Sequence, residues 1–469
     1  MRRLVVVGAG ISGLAAAWAA RQAAATLPGG LEVLVLERDG EVGGKARSLV
    51  RGEWLLESGP AGYLGGRAEM DRLIDGVGMR DSLVPANAGA ARRYLYRAGR
   101  IRRVSANPIG FLLSGLLSVR GRARLLAEPF VRARSGAADE SVWAFAARRL
   151  GPEVADRLVM PMTLGIFAGD AKRLSLASAF PRMAALEREH GSVIRGMLAR
   201  RGRTSSGALQ SFRGGMQALP RAVAARGGFT VRCNAAARTV ARTATGWHVG
   251  IAGDAEPVPA DAVILAGEPW ASAELLRATH AALAHELDQI VCPPVSVVGL
   301  GFGPAARAMT PRGFGVLIAR GEGYRMLGNL WETATYPGRG PRGHTLVRAL
   351  YGGAVDPEAG AMGEAELLTL ARAEVARFYG VSEAPAFAEV VRVPRAIPQY
   401  ELGHGARVAR IEAALATLPG VQLTGFGLRG VAFADAASDG VRVGARAVEA
   451  LAVLALATVA PDSIGRSPR

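Results

Sequence analysis

The chain opens MRRLVVVGAGISGLAAAWAA, residues 1–20, and the glycines at 8, 10 and 13 decide the fold. Residues 4–7, LVVV, are a short β-branched run without alternation, the pattern of a strand buried on both faces. Residues 14–25, LAAAWAARQAAA, are good helix formers. GAGISG between them, with Ala9, Ile11 and Ser12 as its other members, therefore reads as the turn of a strand–turn–helix unit. Gly8 permits the tight bend, Gly10 lets a pyrophosphate reach the backbone, and Gly13 lets helix and strand pack closely. The helix N-terminus offers unpaired N–H groups and a positive dipole end to the same phosphates. A second strand, EVLVLE at 32–37, ends on Glu37, placed to accept a hydrogen bond from a ribose hydroxyl. The opening predicts an α/β fold that holds an adenine dinucleotide.

Just downstream, ERDGEVGGKARS at 37–48 sets Arg38, Gly43, Gly44, Lys45 and Arg47 where backbone donors and cations face those phosphates. LESGPAGYL at 56–64 adds a turn through Gly59, Pro60, Ala61 and Gly62. With its glutamate strand, its GG-basic segment and its later GP turn, the chain resembles the amine-oxidase-type FAD flavoproteins, in which all three contact FAD. The resemblance implies FAD in preference to NAD.

The chain has 469 residues, half of them hydrophobic, which suits a globular protein of two or three packed units. Its net charge of +17, with arginine far outnumbering lysine, favours anionic partners or reflects a GC-rich genome. Cys233 and Cys292 form no CxxC pair, so neither a disulfide framework nor a zinc site is indicated, and a reducing compartment is expected. The basic, apolar N-terminus superficially resembles a secretory signal, but its glycine spacing belongs to the nucleotide turn. IGFLLSGLLSV at 109–119 is too short to span a bilayer. The histidines at 190, 248, 280, 285, 344 and 404 have no ligand spacing, so no metal is expected, and no Ser-His-Asp or paired-carboxylate arrangement stands out.

Residues 90–105 read as a hairpin, 107–205 as helical, and the last fifty return to strand, glycine loop and helix. The expected architecture is mixed α and β: a split Rossmann-type FAD-binding domain (1–70, 206–275 and 416–469), a mixed substrate domain (71–106 and 276–415) and a helical membrane-docking insertion (107–205).

Four further segments narrow the resemblance. GIFAGD at 165–170 with RLSLASAFPRMAALEREHGSVIRG at 173–196, SFRGGMQAL at 211–219, IPQYELGH at 397–404 and GFGLRGVAFAD at 425–435 are similar to blocks of the protoporphyrinogen IX oxidases, and they run through nearly the whole chain. This implies six-electron, oxygen-dependent oxidation of protoporphyrinogen IX to protoporphyrin IX in haem biosynthesis. Flavin N5 would accept hydride in two-electron steps, and molecular oxygen would leave as peroxide. It implies no catalytic residue beyond the flavin. Arg93 falls where the family's substrate-binding arginine would pair bidentately with a propionate, or it decorates a hairpin edge. Gly165 aligns with a glycine whose backbone lies against the macrocycle. Leu317, Leu330 and Leu350 align with apolar positions of the tetrapyrrole slot, although leucines on strands are more often plain core. Val431, Ala432 and Phe433, after Gly430, and Ala237 align with flavin contacts.

The sequence departs from the family at Phe426, Ala434 and Ala436, and LAGEPW at 265–270 replaces LATPA. Coproporphyrinogen III oxidation, a sister desaturase or amine oxidase, and a tetrapyrrole-binding or haem-delivery homologue without turnover stay open; GIFAGD and IPQYELGH argue against the sister enzymes. Phe111, Leu112, Leu113, Leu116 and Leu117, beside arginines at 120, 122, 124, 132 and 134, form a membrane-surface helix or an internal helical pair, and the resemblance selects the first. The expected place is the cytoplasmic face of the cell membrane, with a homodimer open. The arginines lack interleaved aromatics, so no nucleic acid is expected.

Overall fold

The computed structural model describes residues 1–105, 108–112, 114–134, 136, 138–200, 207–306 and 312–459; Leu113 lies outside them. The opening segment forms the strand Arg2–Val7 and the helix Ile11–Ala23. The strand lies at the centre of a five-stranded parallel sheet in the order Thr230–Arg232, Leu31–Leu36, Arg2–Val7, Ala262–Leu265, Val421–Leu423. Leu4 and Val6 enter one core with the helices Ile11–Ala23 and Phe433–Val459, while Val5 enters a second core on the opposite face. Burial on both faces is why the run shows no alternation.

The first and last helices cross at very short range. A Cβ on Gly440 or on Gly444 would lie 2.1 Å from the carbonyl oxygens of Ser12 and Ala16, respectively. The two glycines, one turn apart, let the last helix lie directly on the backbone of the first.

A second, seven-stranded sheet runs Phe387–Val393, Val295–Phe302, Thr345–Gly352, Gly328–Trp331, Gly315–Ile318, Arg93–Arg97, Arg100–Val104, antiparallel except between Gly315–Ile318 and Arg93–Arg97. Alternate residues divide its faces. Val298, Leu300, Val316, Val347, Ala349 and Tyr351 pack with Leu367, Ala371 and Val375 of the helix Glu364–Tyr379. The other face is turned toward the first sheet and the helical region.

The helical region is pinned by Glu128 and Arg149, both fully buried and ion-paired. The Glu128 carboxylate also accepts from Ser192 Oγ (2.5 Å), Val193 N (2.9 Å) and Ile194 N (3.2 Å), which caps the helix Val193–Ala199. Burial alone would raise the pKa of Glu128, but these donors together hold it below the ordinary carboxylate value.

The expectation for residues 111–117 is corrected here. Phe111, Leu116 and Leu117 are buried against Leu95 and Val154 and so do not face lipid. Arg124 is also engaged, donating to the Arg148 and Arg149 carbonyls. The apolar side chains nearby that are exposed are Val119, Leu126 and Phe130, at 81%, 59% and 85%. No described helix is long and apolar enough to cross a membrane.

The helix crossing yields a direct test. Gly444→Leu should lower stability by roughly 3 kcal/mol through overpacking, read as a fall in the thermal unfolding midpoint. Arg446→Ala, on the exposed side of the same helix, should leave the midpoint in place.

Candidate functional site

The glycine loop is built for two different approaches. A Cβ on Gly13 would lie 2.0 Å from the Gly8 carbonyl oxygen, so Gly13 serves helix packing, whereas a Cβ on Gly10 would meet nothing within 4 Å. Gly10 therefore borders open space at the N-terminus of the helix Ile11–Ala23, where a phosphate is favoured. Gly43 donates from its N–H to the Ala9 carbonyl (2.9 Å), and Gly44 abuts the Gly10 Cα, so the GG segment docks on the first loop.

Glu37 is buried, and its carboxylate accepts from Ala9 N (2.8 Å) and Asp39 N (3.0 Å). Each oxygen keeps a lone pair for a ribose hydroxyl. Arg38 is exposed and lies 5.8 Å from the Trp270 ring. Lys45 pairs with Glu268 (2.7 Å), donates to the Ala396 carbonyl and stands 4.9 Å from the Phe426 ring. Burial raises the Glu268 pKa against the pull of Lys45.

The Gly59–Gly62 turn is locked from two sides. Arg348 donates to the Gly59 carbonyl (2.6 Å), and a Cβ on Gly62 would strike the Tyr336 hydroxyl at 1.9 Å. Pro60 is half-buried and Ala61 buried. Val431 is half-buried, Ala432 exposed, and Phe433 starts the last helix. Ala237 opens the strand Ala237–Arg242, packed against the second core.

The loops 8–13, 37–45, 59–62, 265–270 and 425–433 thus gather around one end of the parallel sheet. Glu268 Oε2 and Trp270 Nε1 are buried there without partners. An open glycine loop together with an orphaned acceptor and donor fits a dinucleotide cofactor.

The inner face of the second sheet carries the residues expected at the slot. In register across the strands, Arg93, Gly315, Leu330 and Arg348 are successive neighbours, and Leu95, Leu317, Gly328 and Leu350 form the next row. Arg93, Leu317, Leu330 and Leu350 therefore share one face. Gly165, in the helix Met160–Phe167, meets the same face, since a Cβ on it would lie 2.6 Å from Leu317 Cδ2. Arg93 is exposed, its guanidinium 5.5 Å from the Phe314 ring.

Sequence reasoning missed two groups. Met162 and Ile166 flank Gly165 on its helix face and are 42% and 45% exposed; apolar residues at this spacing around a glycine were the available signal. Arg339 pairs with fully buried Glu57 (2.7 Å), and Arg348 pairs with Glu332 (2.9 Å). No local pattern announces these pairs.

IPQYELGH braces the C-terminal glycine loop. Tyr400 donates its hydroxyl to the Phe426 carbonyl, and the His404 ring stacks on Tyr400 at 4.3 Å while its Nε2 bonds to the Leu428 carbonyl (2.9 Å). Burial lowers the His404 pKa below 6.5, opposed by the bond to Leu428. A lowered folded-state pKa means that the stability carried by the buried neutral ring is fully present above pH 6.5 and is lost as pH falls through the folded value, where the ring must be charged in an apolar setting.

A parallel nucleotide-binding sheet with a glycine-loop cradle, set against a mixed sheet, is the frame of a dinucleotide-binding oxidoreductase. The sequence profile of the flavin containing amine oxidoreductases matches residues 11–448, and the chain belongs to that family. It is 27% identical over 454 residues to coproporphyrinogen III oxidase of Bacillus subtilis (strain 168), covering 94% of this chain and 96% of the relative. It is 30% identical over 478 residues to protoporphyrinogen oxidase of Macaca fascicularis, covering 94% and 97%. A crystal structure from Exiguobacterium sp. 255-15, provisionally described as a protoporphyrinogen oxidase, superposes with a TM-score of 0.81 at 23% identity, covering 97% and 99%.

The His404 brace can be tested through flavin retention. His404→Phe keeps the ring and removes the bond to Leu428, so FAD affinity should fall about fivefold, on the order of 1 kcal/mol. His404→Gln should restore part of it. In the unsubstituted protein, flavin fluorescence released on dilution should increase as pH falls below 6.5.

Proposed function

We propose that this protein oxidises a porphyrinogen to its porphyrin in haem biosynthesis, with protoporphyrinogen IX as substrate and molecular oxygen as terminal acceptor. The observation that carries the reading is the single sheet face on which Arg93 flanks Leu317, Leu330 and Leu350, with Gly165 against it. The similarity to protoporphyrinogen oxidases supports it. Coproporphyrinogen III is the second reading, favoured by the relative from Bacillus subtilis.

FAD would be held by Gly8 to Gly13, Glu37, Arg38, Gly43 to Lys45, Gly59 to Gly62, Ala237 and Val431 to Phe433, and it supplies a two-electron acceptor when bound. The chain's own residues orient and shield. The three leucines hold the apolar macrocycle, the missing side chain at Gly165 makes room for Leu317 against its helix, and Arg93 anchors a propionate. Removing six electrons and six protons from the substrate converts three molecules of oxygen to three of hydrogen peroxide, so no external acid or base is consumed.

Docking on an anionic membrane surface belongs to the same reading. Val119, Leu126 and Phe130 form an exposed apolar stripe flanked by exposed Arg120 and Arg132.

The deciding experiment is the visible spectrum of the purified protein, followed by porphyrin fluorescence in air with each porphyrinogen. A flavin spectrum without turnover above the autoxidation blank would sink the proposal. Arg93→Ala should raise KM for the accepted porphyrinogen at least about tenfold, the effect of losing a charge-assisted bond, with kcat less affected. An unchanged KM removes Arg93 from the site. Phe130→Asp should abolish sedimentation with phosphatidylglycerol vesicles while leaving turnover in detergent intact.

A further inference from the structure

Residues 265–270, LAGEPW, close one side of the cradle. They follow the strand Ala262–Leu265, which flanks Arg2–Val7 on one side while Leu31–Leu36 flanks it on the other. The crevice beyond the strand ends at such a reversal of order is where an open α/β sheet takes its ligand. The segment presses on the glycine loop there. A Cβ on Gly8 would lie 3.2 Å from the Ala266 carbonyl, and a Cβ on Gly13 would lie 2.9 Å from the Ala266 Cβ.

The charge of Glu268 is matched within the protein, since Lys45 pairs with its carboxylate (2.7 Å). Trp270 is not matched. Its indole Nε1 is buried and, among the described residues, has no acceptor, and a buried donor without a partner is costly. Two guanidiniums stand over its ring, Arg395 at 4.6 Å and Arg38 at 5.8 Å from the centre. Both arginines are exposed. Arg38 has its chain neighbour Asp39 at 3.7 Å, and among the described residues Arg395 makes no ion pair. A donor without an acceptor, beside two weakly matched cations, calls for a ligand that is anionic and rich in acceptors. Arg38 also indicates which part of a dinucleotide is concerned. It follows Glu37, whose carboxylate keeps lone pairs for a ribose hydroxyl, so Trp270 is joined through Arg38 to the ribose end of the cradle.

We propose that Trp270 is a cofactor-binding residue: its indole N–H donates to the adenosine diphosphate half of FAD, whose phosphates attract the Arg38 and Arg395 guanidiniums. That half carries acceptors in its base, ribose and phosphates, which the indole N–H lacks within the protein, and its charge suits the two arginines. LAGEPW in place of LATPA thereby brings a donor of its own to the cradle, and the acid it also brings is neutralised by Lys45 instead of facing the phosphates as a bare charge. The assignment rests on the FAD cradle and is independent of which porphyrinogen, if any, the protein oxidises.

The test measures binding to the full chain freed of flavin, by titration calorimetry with FAD, ADP and FMN as separate probes. Recovery of the flavin spectrum on adding FAD establishes that each preparation is folded. Trp270→Phe keeps an aromatic ring and removes the donor, so Kd for FAD and for ADP should each rise about fivefold, while Kd for FMN stays in place. Arg395→Gln, at an exposed side chain, serves should Trp270→Phe misfold. It should raise Kd for ADP about threefold at low salt and make it less dependent on salt. A rise in Kd for FAD and FMN that spares ADP overturns the assignment to the adenosine diphosphate half. Unchanged Kd values for all three probes in folded Trp270→Phe overturn the contact altogether. If the unsubstituted protein takes up FAD and oxidises neither porphyrinogen, the functional reading fails while the Kd values still decide the role of Trp270.

Discussion

The arrangement of cradle and slot depends on one buried charge. Glu57 ends the strand Trp54–Glu57 with no exposure, and its carboxylate receives Arg339 (2.7 Å), Ser48 Oγ (2.7 Å) and Met216 N (2.9 Å). Burial pushes its pKa up, and Arg339 leads the groups that draw it back. Such a pair is a weak source of net stability, but loss of one partner strands the other charge in the interior. What it provides is position. Arg348, on the strand Thr345–Gly352, donates to the Glu57 and Gly59 carbonyls (2.9 and 2.6 Å), so the GP turn of the nucleotide side is fixed against the strand that carries Leu350.

From that fixed point the slot follows by parity. In the seven-stranded sheet, residues two apart share a face, so anchoring Arg348 determines that Leu350, Leu330, Leu317 and Arg93 all look the same way. A one-residue slip would bury them under the helix Glu364–Tyr379 and turn Val347 and Ala349 into the slot. Gly315 sits between Arg93 and Leu330, and Gly328 between Leu317 and Leu350, and the two keep the floor low. A Cβ on Gly315 would crowd the Leu330 side chain at 3.1 Å.

What the sequence disclosed follows the range of the interactions. The glycine loop was legible because a strand, a tight turn and a helix start are local. Glu37 was legible as a carboxylate at the end of its strand, though its bonds to Ala9 and Asp39 were not. The LAGEPW segment was legible only as a departure from the family, and in three dimensions its Glu268 faces Lys45. Phe111, Leu116 and Leu117 were misplaced because an apolar helix face has the same pattern whether it covers lipid or Leu95. Arg93 was singled out only by resemblance, since nothing in RRYLY distinguishes a propionate anchor from a hairpin edge. Glu57 and Arg339, separated by 282 residues, have no sequence signal at all.

The charge surplus takes a different meaning once the arginines are located. Many serve structure: Arg149 ties Glu128, Arg124 ties the carbonyls of Arg148 and Arg149, and Arg339 and Arg348 hold the strand Trp54–Glu57 and the turn after it. A planar, permanently charged fork suits that work because it satisfies several acceptors at once with little lost freedom. The excess that remains is therefore to be sought where cations lack such partners. Those places are the exposed arginines beside Phe130 and Arg93 at the edge of the leucine rows, both of which present positive charge next to apolar surface. That combination suits amphiphilic anions, membrane lipid and carboxylated macrocycle alike, better than it suits a uniformly charged polymer.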